Sequence, residues 1–464
     1  GFDIMLRQNG ILTSGKKYKI TYNTDLSGIT SGSFKWQTFS DSSSARTILN
    51  GTNTVILTAN GSDLYVSEGG ASGTGIFTFI MVEEQKYVAT NLKLNSGNYK
   101  SADPVIVSTK SVDFDGSDAY LEVQDATALQ LAGSQATWSF WTKLDTLSGG
   151  DMKFLAKALT AGSDLAGYQI RTNNADLLYQ FNNGTWRTIT ASNFFLDLNF
   201  THVAITHDGS NNVKIYRNGV LIEDSSIGYV IPANTGELLF GARTPDSPTN
   251  FLNGKLDEVG IFNTALSSDQ VIELYNQGVP SNLLISTAGI DGALVGYWKM
   301  GDGTLDEAPL IADQTNATLG SELVTNGDYS TDSDWNKLNG STISGGVGKV
   351  IANGALSSTG NNWSLNQNVG MAIGKTYKIT FRARQTVGTG NFQVGQGYKV
   401  GFNQTITSSF ADYVFYIVAA DWSGSVLTGS ITIGGLTVND EFEIDNVSVK
   451  QVNGNPALMQ NTPT

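Results

Sequence analysis

Apolar and polar residues alternate with a period of two along most of this 464-residue chain. Segments 18–22 (YKITY), 213–215 (VKI) and 377–381 (YKITF) each place apolar side chains on one face and polar side chains on the other. Half-buried antiparallel strands show this pattern, because successive side chains of a strand point to opposite faces. Gly, Asn, Asp and Ser clusters bound these segments, and Asn218-Gly219 predicts a tight hairpin. The alternation therefore predicts an all-β protein.

One short helix is expected within this pattern. Ser267 and Gln270 have the spacing of a capping box, apolar residues follow at helical spacing from Val271 to Tyr275, and Gly278 predicts the end of the helix. A single helix cannot form a domain of its own. We therefore expect it to cover an edge or rim of a sheet.

Composition excludes several classes of function. The chain has 28 basic and 42 acidic residues, a net charge of −14, which disfavours binding to nucleic acid or to an anionic membrane. Hydrophobic residues make up 40% of the chain, too many for a disordered protein. No apolar run approaches the roughly 18 residues that span a bilayer. We therefore expect a folded protein without membrane insertion.

The supply of catalytic and metal-binding side chains is small. The chain has no cysteine, which excludes thiol nucleophiles, disulfides and thiolate metal sites. Its two histidines, His202 and His207, are too few for a multi-histidine metal centre. Neither has an acidic, serine or cysteine partner at a recognisable spacing, so we interpret both as structural. No Gly-x-Ser-x-Gly or phosphate-binding glycine loop with lysine occurs.

An internal repeat divides the chain. The segment 15–22 (GKKYKITY) recurs at 374–381 (GKTYKITF), about 360 residues later, which is far beyond the period of a solenoid. The repeat predicts two related β modules on either side of a middle domain. The first module has no counterpart of 323–335 and is expected to be truncated. With boundaries at Gly- and Pro-containing breaks, we predict four parts: 1–95, 105–320, 321–450 and a polar tail, 451–464.

Several ordered motifs carry a resemblance in the middle segment. Residues 111–123, 137–143 and 202–209, the segment 251–262 with the helix after it, and 295–299 together resemble the laminin-G-like, concanavalin-A-like jelly-roll family. The resemblance covers nearly the whole middle domain. It implies a two-sheet jelly roll there.

Both flanking modules carry a second resemblance. Segment 324–330 with Trp335, and segment 442–449, resemble the first and last strands of jelly-roll carbohydrate-binding modules. The first module is similar and ends in 77–82. A laminin-G-like domain between such modules resembles the arrangement of phage virion proteins, particularly fibres and capsid decorations. We therefore expect tandem jelly-roll β-sandwiches.

The resemblance also allows a test for catalysis. Glucanases of the concanavalin-like fold carry Glu-x-Asp-x-x-Glu on one strand, which supplies a nucleophile and an acid. Glu443 and Asp445 begin this pattern, but Ser448 stands at its last position and the segment lies in the C-terminal module. We therefore predict that the chain is not an enzyme.

The module resemblance implies a structural calcium ion. Its acid near the last strand corresponds to Asp445, and its usual glutamate near the first strand corresponds to Ser330, with Asp328 and Asp332 close by as substitutes. Calcium needs about six to eight oxygen ligands. The alternative is that Asp445 caps neighbouring backbone amides. In the middle domain, alternation places Asp257 on the face of Val259, where a carboxylate must be hydrogen-bonded or paired.

Four aromatic residues stand among polar residues and glycines and are candidates for stacking on sugar rings: Trp186, Trp363, Tyr398 and Trp422. The alternative for each is local packing over a hairpin. Four others lie in strand patterns and are expected in the core: Trp138, Phe140, Tyr297 and Trp298.

The combined features predict a non-enzymatic virion structural and recognition protein, a phage fibre or capsid decoration, with glycan binding as its activity. Two alternatives remain open: a bacterial cell-surface adhesin, and the accessory carbohydrate-binding region of a glycosidase. The expected partners are further copies of the chain, with a trimer favoured, virion or surface proteins, and a host-surface glycan. The expected location is the virion surface or the extracellular space.

Overall fold

The computed structural model describes residues 4–8, 12, 14, 17–31, 33–37, 46–59, 62–68, 72–85, 108–133, 135–158, 167–182, 185–209, 212–243, 247–285, 290–356, 362–421 and 427–461. The chain forms two compact units, Gly1–Pro104 and Val105–Thr464. The predicted boundary at 95–105 lies outside the described residues. No helix among the described residues is long and apolar enough to cross a membrane.

The first unit contains two antiparallel sheets. Its strands are β1 (Ile4–Gln8), β2 (Lys17–Ser31), β3 (Phe34–Gln37), β4 (Arg46–Thr47), β5 (Gly51–Thr58), β6 (Leu64–Glu68) and β7 (Ser72–Gln85). One sheet has the order β1-β6-β3-β4 and the other β5-β2-β7. Tyr18, Ile20 and Tyr22 of the repeated segment are buried, and the Tyr22 ring packs 5.3 Å from the Trp36 ring. The alternation predicted this buried face correctly.

The middle part of the second unit is a two-sheet sandwich. Its strands are β8 (Val112–Asp115), β9 (Tyr120–Val123), β10 (Ala136–Leu144), β11 (Asp151–Ala158), β12 (Gly167–Asn173), β13 (Asp176–Asn182), β14 (Trp186–Ala191), β15 (Thr201–His207), β16 (Asn212–Arg217), β17 (Val220–Ser226), β18 (Leu238–Phe240), β19 (Asn253–Phe262), β20 (Leu294–Trp298) and β21 (Leu310–Ile311). Asn218 and Gly219 form the predicted hairpin between β16 and β17, both with positive φ.

The C-terminal part is a second sandwich. Its strands are β22 (Leu319–Glu322), β23 (Asn336–Lys337), β24 (Thr342–Ser344), β25 (Val347–Ile351), β26 (Leu365–Asn368), β27 (Thr376–Val387), β28 (Phe392–Gln396), β29 (Lys399–Gln404), β30 (Ala411–Val418), β31 (Ser430–Gly435) and β32 (Glu441–Val452). The last strand of the chain, β33 (Ala457–Gln460), pairs with strands of the middle sandwich instead. One sheet has the order β24-β25-β32-β27-β30, with β22 also paired to β32, and the other β23-β26-β31-β28-β29.

The second copy of the repeat lies in β27 and matches the first in its sheet position. β27 lies between β30 and β32, as β2 lies between β5 and β7. In both copies every second residue of the repeated segment is buried, here Tyr377, Ile379 and Phe381. The two segments therefore play the same part in their respective sheets.

The middle sandwich buries one large core between a seven-stranded and an eight-stranded sheet. The first has the order β17-β16-β15-β10-β19-β20, with β8 also paired to β19, and the second has the order β14-β13-β12-β11-β18-β9-β33-β21. Trp138, Phe140, Tyr297 and Trp298 are all fully buried, as their strand patterns predict. The all-β class with jelly-roll sandwiches is confirmed.

Helical structure is limited to short pieces. The helices are α1 (Thr127–Gln130) and α2 (Ser268–Tyr275), and 3-10 turns lie at Asn276–Gly278, Leu283–Ile285, Asp291–Ala293 and Gln314–Asn316. The predicted capping box of α2 forms between Ser267 and Gln270. Asn276, with φ +44°, ends the helix two residues before the predicted Gly278. Helix α2 packs Val271 and Leu274 on the outer face of the seven-stranded sheet rather than on its edge.

A β-bulge in β19 overturns the predicted face of Asp257. Two residues of β19, Glu258 and Val259, lie opposite the single residue Phe140 of β10, and Glu258 has φ +48°. The extra residue shifts the alternation. Asp257 therefore lies opposite Trp141, on the outer face, while Val259 packs in the core.

The segment predicted as a polar tail contains a strand of the middle domain. β33 lies between β9 and β21 in the eight-stranded sheet, with Ala457 paired to Val123 and Ile311. Ala457 is fully buried and Leu458 is 8% exposed. The short apolar run 457–459 gains burial in that sheet, and this burial is the reason that the segment is ordered.

Candidate functional site

A polar network covers the outer face of β12, β13 and β14. Gln169 lies opposite Gln180, which lies opposite Thr188. Gln180 Oε1 accepts hydrogen bonds from Gln169 Nε2 (2.8 Å) and Arg171 Nε (2.6 Å), and Gln180 Nε2 donates to Thr188 Oγ1 (2.7 Å). Tyr168 and Ile170, the alternate residues of β12, pack in the core. Strand alternation therefore holds this row of polar groups in fixed positions on the outer face.

Three cations meet at one end of this network. Lys153 of β11 lies opposite Arg171, and Asp151 accepts a hydrogen bond from the Lys153 ammonium and lies 3.3 Å from Arg171 Nη1. The Lys153 side chain is only 1% exposed. Burial lowers the pKa of Lys153 to about 8; Asp151 opposes the shift, and the charges of Arg171 and Arg243 add to it. Among the described residues, Asp151 is the one carboxylate paired with this group.

Trp186 lies beside one of these cations, Arg243. It is the first residue of the edge strand β14 and is 36% exposed. The Arg243 guanidinium carbon lies 5.9 Å from the centroid of the Trp186 ring, within reach of a cation–π contact. The predicted candidate Trp186 therefore lies at the border of a surface that we call the cationic face: Lys153, Gln169, Arg171, Gln180, Trp186 and Arg243.

Two other aromatic candidates, Trp363 and Tyr398, lie in the C-terminal sandwich. The register places Trp363, two residues before Leu365, level with Phe392 at one end of β28, whereas Tyr398 follows the other end of β28. Both side chains are half-buried. Trp422 lies outside the described residues. Trp363 and Tyr398 thus occupy opposite ends of the five-stranded sheet and do not form one aromatic patch.

The predicted calcium ligands have other partners. Asp332 binds the Lys337 ammonium, Asp328 Oδ1 accepts from the Ser330 amide (3.2 Å), and Asp445 Oδ1 accepts from the Asn446 amide (2.7 Å). In the part of the chain that the structure describes, no three acidic or histidine side chains form a group that could hold a metal ion. These contacts fit the alternative, in which Asp445 caps a backbone amide. A structural calcium ion stays a prediction that rests on the resemblance to carbohydrate-binding modules.

Both histidines are packed in β15. His202 Nε2 lies 2.9 Å from Ser139 Oγ, and burial lowers the pKa of His202 to about 3. His207 lies between the Tyr179 hydroxyl (3.1 Å) and the Tyr229 carbonyl (2.9 Å). Each is at most 1% exposed. Their environments agree with structural roles.

Glu443, the first residue of the glucanase-like pattern, forms an ion pair. Arg384 Nη2 lies 2.6 Å from Glu443 Oε2, and Arg384 Nε donates to the same oxygen at 2.8 Å. This contact joins β27 to β32 across one register pair. The carboxylate is thus engaged in cross-strand pairing.

Sequence reasoning missed Lys153, Arg171 and Arg243. Each lies in or beside a short run whose alternate residues are apolar, so each could be recognised as an outward-facing cation. Nothing in the one-dimensional pattern shows that β11, β12 and the segment after β18 bring them together. Only strand order and register supply that information.

One family model matches the middle of the chain. Residues 115–272 match the model of the laminin G family described as the concanavalin A-like lectin/glucanases superfamily. The comparison with curated proteins found no match.

Several solved structures are also similar to parts of the chain, including the following three. The Ruminococcus gnavus IT-sialidase CBM40 bound to alpha2,3 sialyllactose has 16% identity over 36% of this chain and 96% of its own, with a TM-score of 0.31. A candidate carbohydrate-binding protein from Bacteroides ovatus has 16% identity over 68% and 88%, with a TM-score of 0.36. A SAP-like pentraxin from Limulus polyphemus has 17% identity over 36% and 81%, with a TM-score of 0.28.

The family match and the fold concern the same part of the chain. Residues 115–272 include β9 to β19 and most of α2, and thus most of the two-sheet sandwich, including the cationic face. Over residues 115–272 this protein is therefore similar to the concanavalin A-like jelly-roll domains that this laminin G model describes.

Proposed function

We propose that this chain is a non-enzymatic glycan-binding protein and that the cationic face binds the sugar. The observation that carries the proposal is the exposed Trp186 ring beside donors already fixed by hydrogen bonds, Gln180 and Arg171. A Trp plane covers the apolar face of a pyranose ring, and amide and guanidinium groups bind its hydroxyls. Because the network holds these donors in place, little side-chain entropy is lost on binding.

The proposal of a non-enzymatic role is supported by the contacts of the acidic residues. Asp257 accepts from Ser108 Oγ (2.7 Å), Glu258 from the Tyr297 hydroxyl, and Asp306 from the amides of Gly301 and Gly303 (both 2.9 Å). These carboxylates hold the domain's own backbone and side chains. A general acid or base must instead reach the substrate proton.

A glycan array with the Trp186→Ala variant tests the site. We expect binding to weaken at least tenfold while the melting temperature stays unchanged, because the ring is an exposed stacking surface at a strand edge. Trp363→Ala, at a half-buried aromatic residue of the C-terminal part, is the matched control. If only the Trp363→Ala control loses binding, the glycan site lies in the C-terminal part and not on the cationic face.

The same glycans serve to test catalysis. Incubation with β-glucans, chitin and bacterial polysaccharides is expected to release no reducing ends. Release that disappears in Glu443→Gln would contradict the non-enzymatic proposal and favour a glycosidase.

We also propose that the chain serves as a repeated component of a phage virion, a fibre or a capsid decoration, located at the virion surface and assembled as a trimer. Support comes from the tandem arrangement of sandwiches and from the shared sheet within the second unit. Such units suit a rigid spacer that presents a binding face. The alternative is a cell-surface adhesin. Electron microscopy of the native source distinguishes the two roles, because it shows whether the chain lies on a virion or on a cell.

A further inference from the structure

We propose that the glycan bound by the cationic face carries an anionic group, a carboxylate or a sulfate, which Arg171 and Arg243 bind and whose charge the buried Lys153 stabilises. This inference rests on the proposed glycan-binding function of the same face. It adds the chemical class of the ligand, which neither the sequence motifs nor the family match supplies.

The first argument is the local excess of positive charge. The whole chain has a net charge of −14, yet three cations meet on this face with Asp151 as their one paired carboxylate among the described residues. Mutual repulsion between such cations is a cost in a partly buried place. A bound anion removes that cost. A site for neutral sugars alone has no need of this arrangement.

The second argument is the burial of Lys153. Lysine is almost never fully buried without a partner, and here one carboxylate serves both Lys153 and Arg171. The lowered pKa of Lys153 reflects that burial and the two neighbouring guanidinium groups. A second negative charge at this place would restore the balance between cations and carboxylates.

The third argument is an unsatisfied donor. The Nε atom of Arg243 is buried and has no hydrogen-bond partner among the residues that the structure describes. A buried unpaired donor costs about 1 to 3 kcal/mol, more when the group is charged. Guanidinium groups bind carboxylate and sulfate through paired, charge-assisted N–H donors, so an oxyanion would stabilise the guanidinium group more strongly than a neutral hydroxyl.

The fourth argument is the position of Arg243 relative to the stacking surface. Its guanidinium carbon lies 5.9 Å from the Trp186 ring centroid. A sugar ring stacked on Trp186 therefore brings its ring substituents next to Arg243. Trp186 selects a pyranose and the cations select the charge on it.

The test uses the full chain and pairs of oligosaccharides that differ only in charge. The pairs are sialyllactose and lactose, oligogalacturonate and its methyl ester, and a sulfated galactan oligosaccharide and its desulfated form. Affinities are measured by calorimetry for the wild type, Arg243→Gln and Arg171→Gln. Lys214→Gln, a cation on β16 in the other sheet, is the matched control. The responding pair shows whether the anion is a carboxylate or a sulfate.

We expect the charged member of at least one pair to bind tenfold tighter or more than its neutral partner. The preference should fall with rising ionic strength and decrease at least tenfold in Arg243→Gln, but not in Lys214→Gln. Arg243→Gln removes no internal hydrogen bond of the Arg243 Nε group, so the fold should survive.

Three results would overturn the inference. If both members of every pair bind equally well and Trp186→Ala abolishes this binding, the face binds glycans but does not recognise an anionic group. A charge preference that persists in both arginine variants would place the anion elsewhere. Absence of binding to every member and to the full glycan array would remove the proposed function as well.

Discussion

At the scale of single residues, the bulge at Glu258 has the largest consequence. It directs Asp257 to the outer face of the seven-stranded sheet, where the Asp257 Oδ2 atom accepts a hydrogen bond from Ser108 Oγ at 2.7 Å. Burial raises the pKa of Asp257 to about 8, the Ser108 hydrogen bond opposes the shift, and the charge of Glu258 adds to it. Between about pH 4 and pH 8, the folded protein therefore holds a proton on Asp257 that the unfolded chain releases.

This shift predicts a pH-dependent effect of Asp257→Asn. The pKa of Asp257 is higher in the folded state, so its stabilising effect is complete below about pH 4 and is lost as the pH rises through about 8. The variant, which cannot ionise, should therefore match the wild type near pH 4 and melt several degrees higher near pH 8. Thermal melts across this range measure the difference.

Asp302→Asn is the control, and we expect it to change the melting temperature in the opposite direction. Burial by itself would raise the pKa of Asp302, but hydrogen bonds from Thr109 and Lys110 lower this pKa overall. Its charged form therefore stabilises the fold at neutral pH, and the variant should melt lower there. A stability difference for Asp257→Asn that does not change with pH would contradict the protonated state of Asp257.

At the scale of elements, β33 shows how a short segment completes a distant sheet. It pairs with β9 on one side and β21 on the other. The residues before it are also held, because Asn455 accepts a hydrogen bond from Trp298 Nε1 (2.9 Å) and donates through its side chain to Asp313 (3.1 Å). The C-terminal strand is thus an integral part of the middle sandwich.

Truncation after Val452 should therefore destabilise the middle sandwich. It removes β33, exposes the edges of β9 and β21, and loses the burial of Leu458, which alone is worth about 1.5 to 3 kcal/mol. We expect the melting temperature to fall by about 5 °C or more. Hydrogen exchange should show faster exchange at Tyr120–Val123. Truncation after Asn461 is the control, and an equal effect of both truncations would refute the role of β33.

At the scale of the whole molecule, the second unit joins its two sandwiches through several contacts. β22 pairs with β32, and Glu307 accepts hydrogen bonds from Lys378 (3.0 Å) and the Tyr416 hydroxyl (3.1 Å). An apolar cluster contains residues of both sandwiches: Leu310, Leu319, Tyr416, Val418, Val452 and Leu458. Residues 105–464 therefore behave as one compact unit rather than as two domains on a linker.

The proposed virion role predicts that native particles carry this chain in many symmetric copies. Electron microscopy of the native source should show the chain on a particle, and light scattering of the purified protein should give the mass of a trimer. A freely soluble monomer that is found on no particle or cell surface would contradict the structural role. Density on a bacterial cell surface would favour the adhesin.

The sequence by itself determined the local features of this protein. Alternation predicted the buried faces of β2 and β27, the strand positions of Trp138 and Phe140, and the all-β class, because strand geometry couples each residue to its neighbours two places away. The capping box of α2 was predictable for the same reason, since its hydrogen bonds span only three residues. The partial exposure of Trp186 was predictable because this residue stands among polar residues, whereas its part in sugar binding stays a prediction.

Only the tertiary structure decided the features that depend on register and strand order. The bulge that turns Asp257 outward arises from the pairing of β10 with β19, and β33 becomes a strand because β9 and β21 leave a place between them. The cationic face joins Lys153, Arg171 and Arg243 from three separate strands or their ends. Such contacts link residues far apart in the chain, and their free energy comes from burial and charge in the assembled sheet, which no local pattern records.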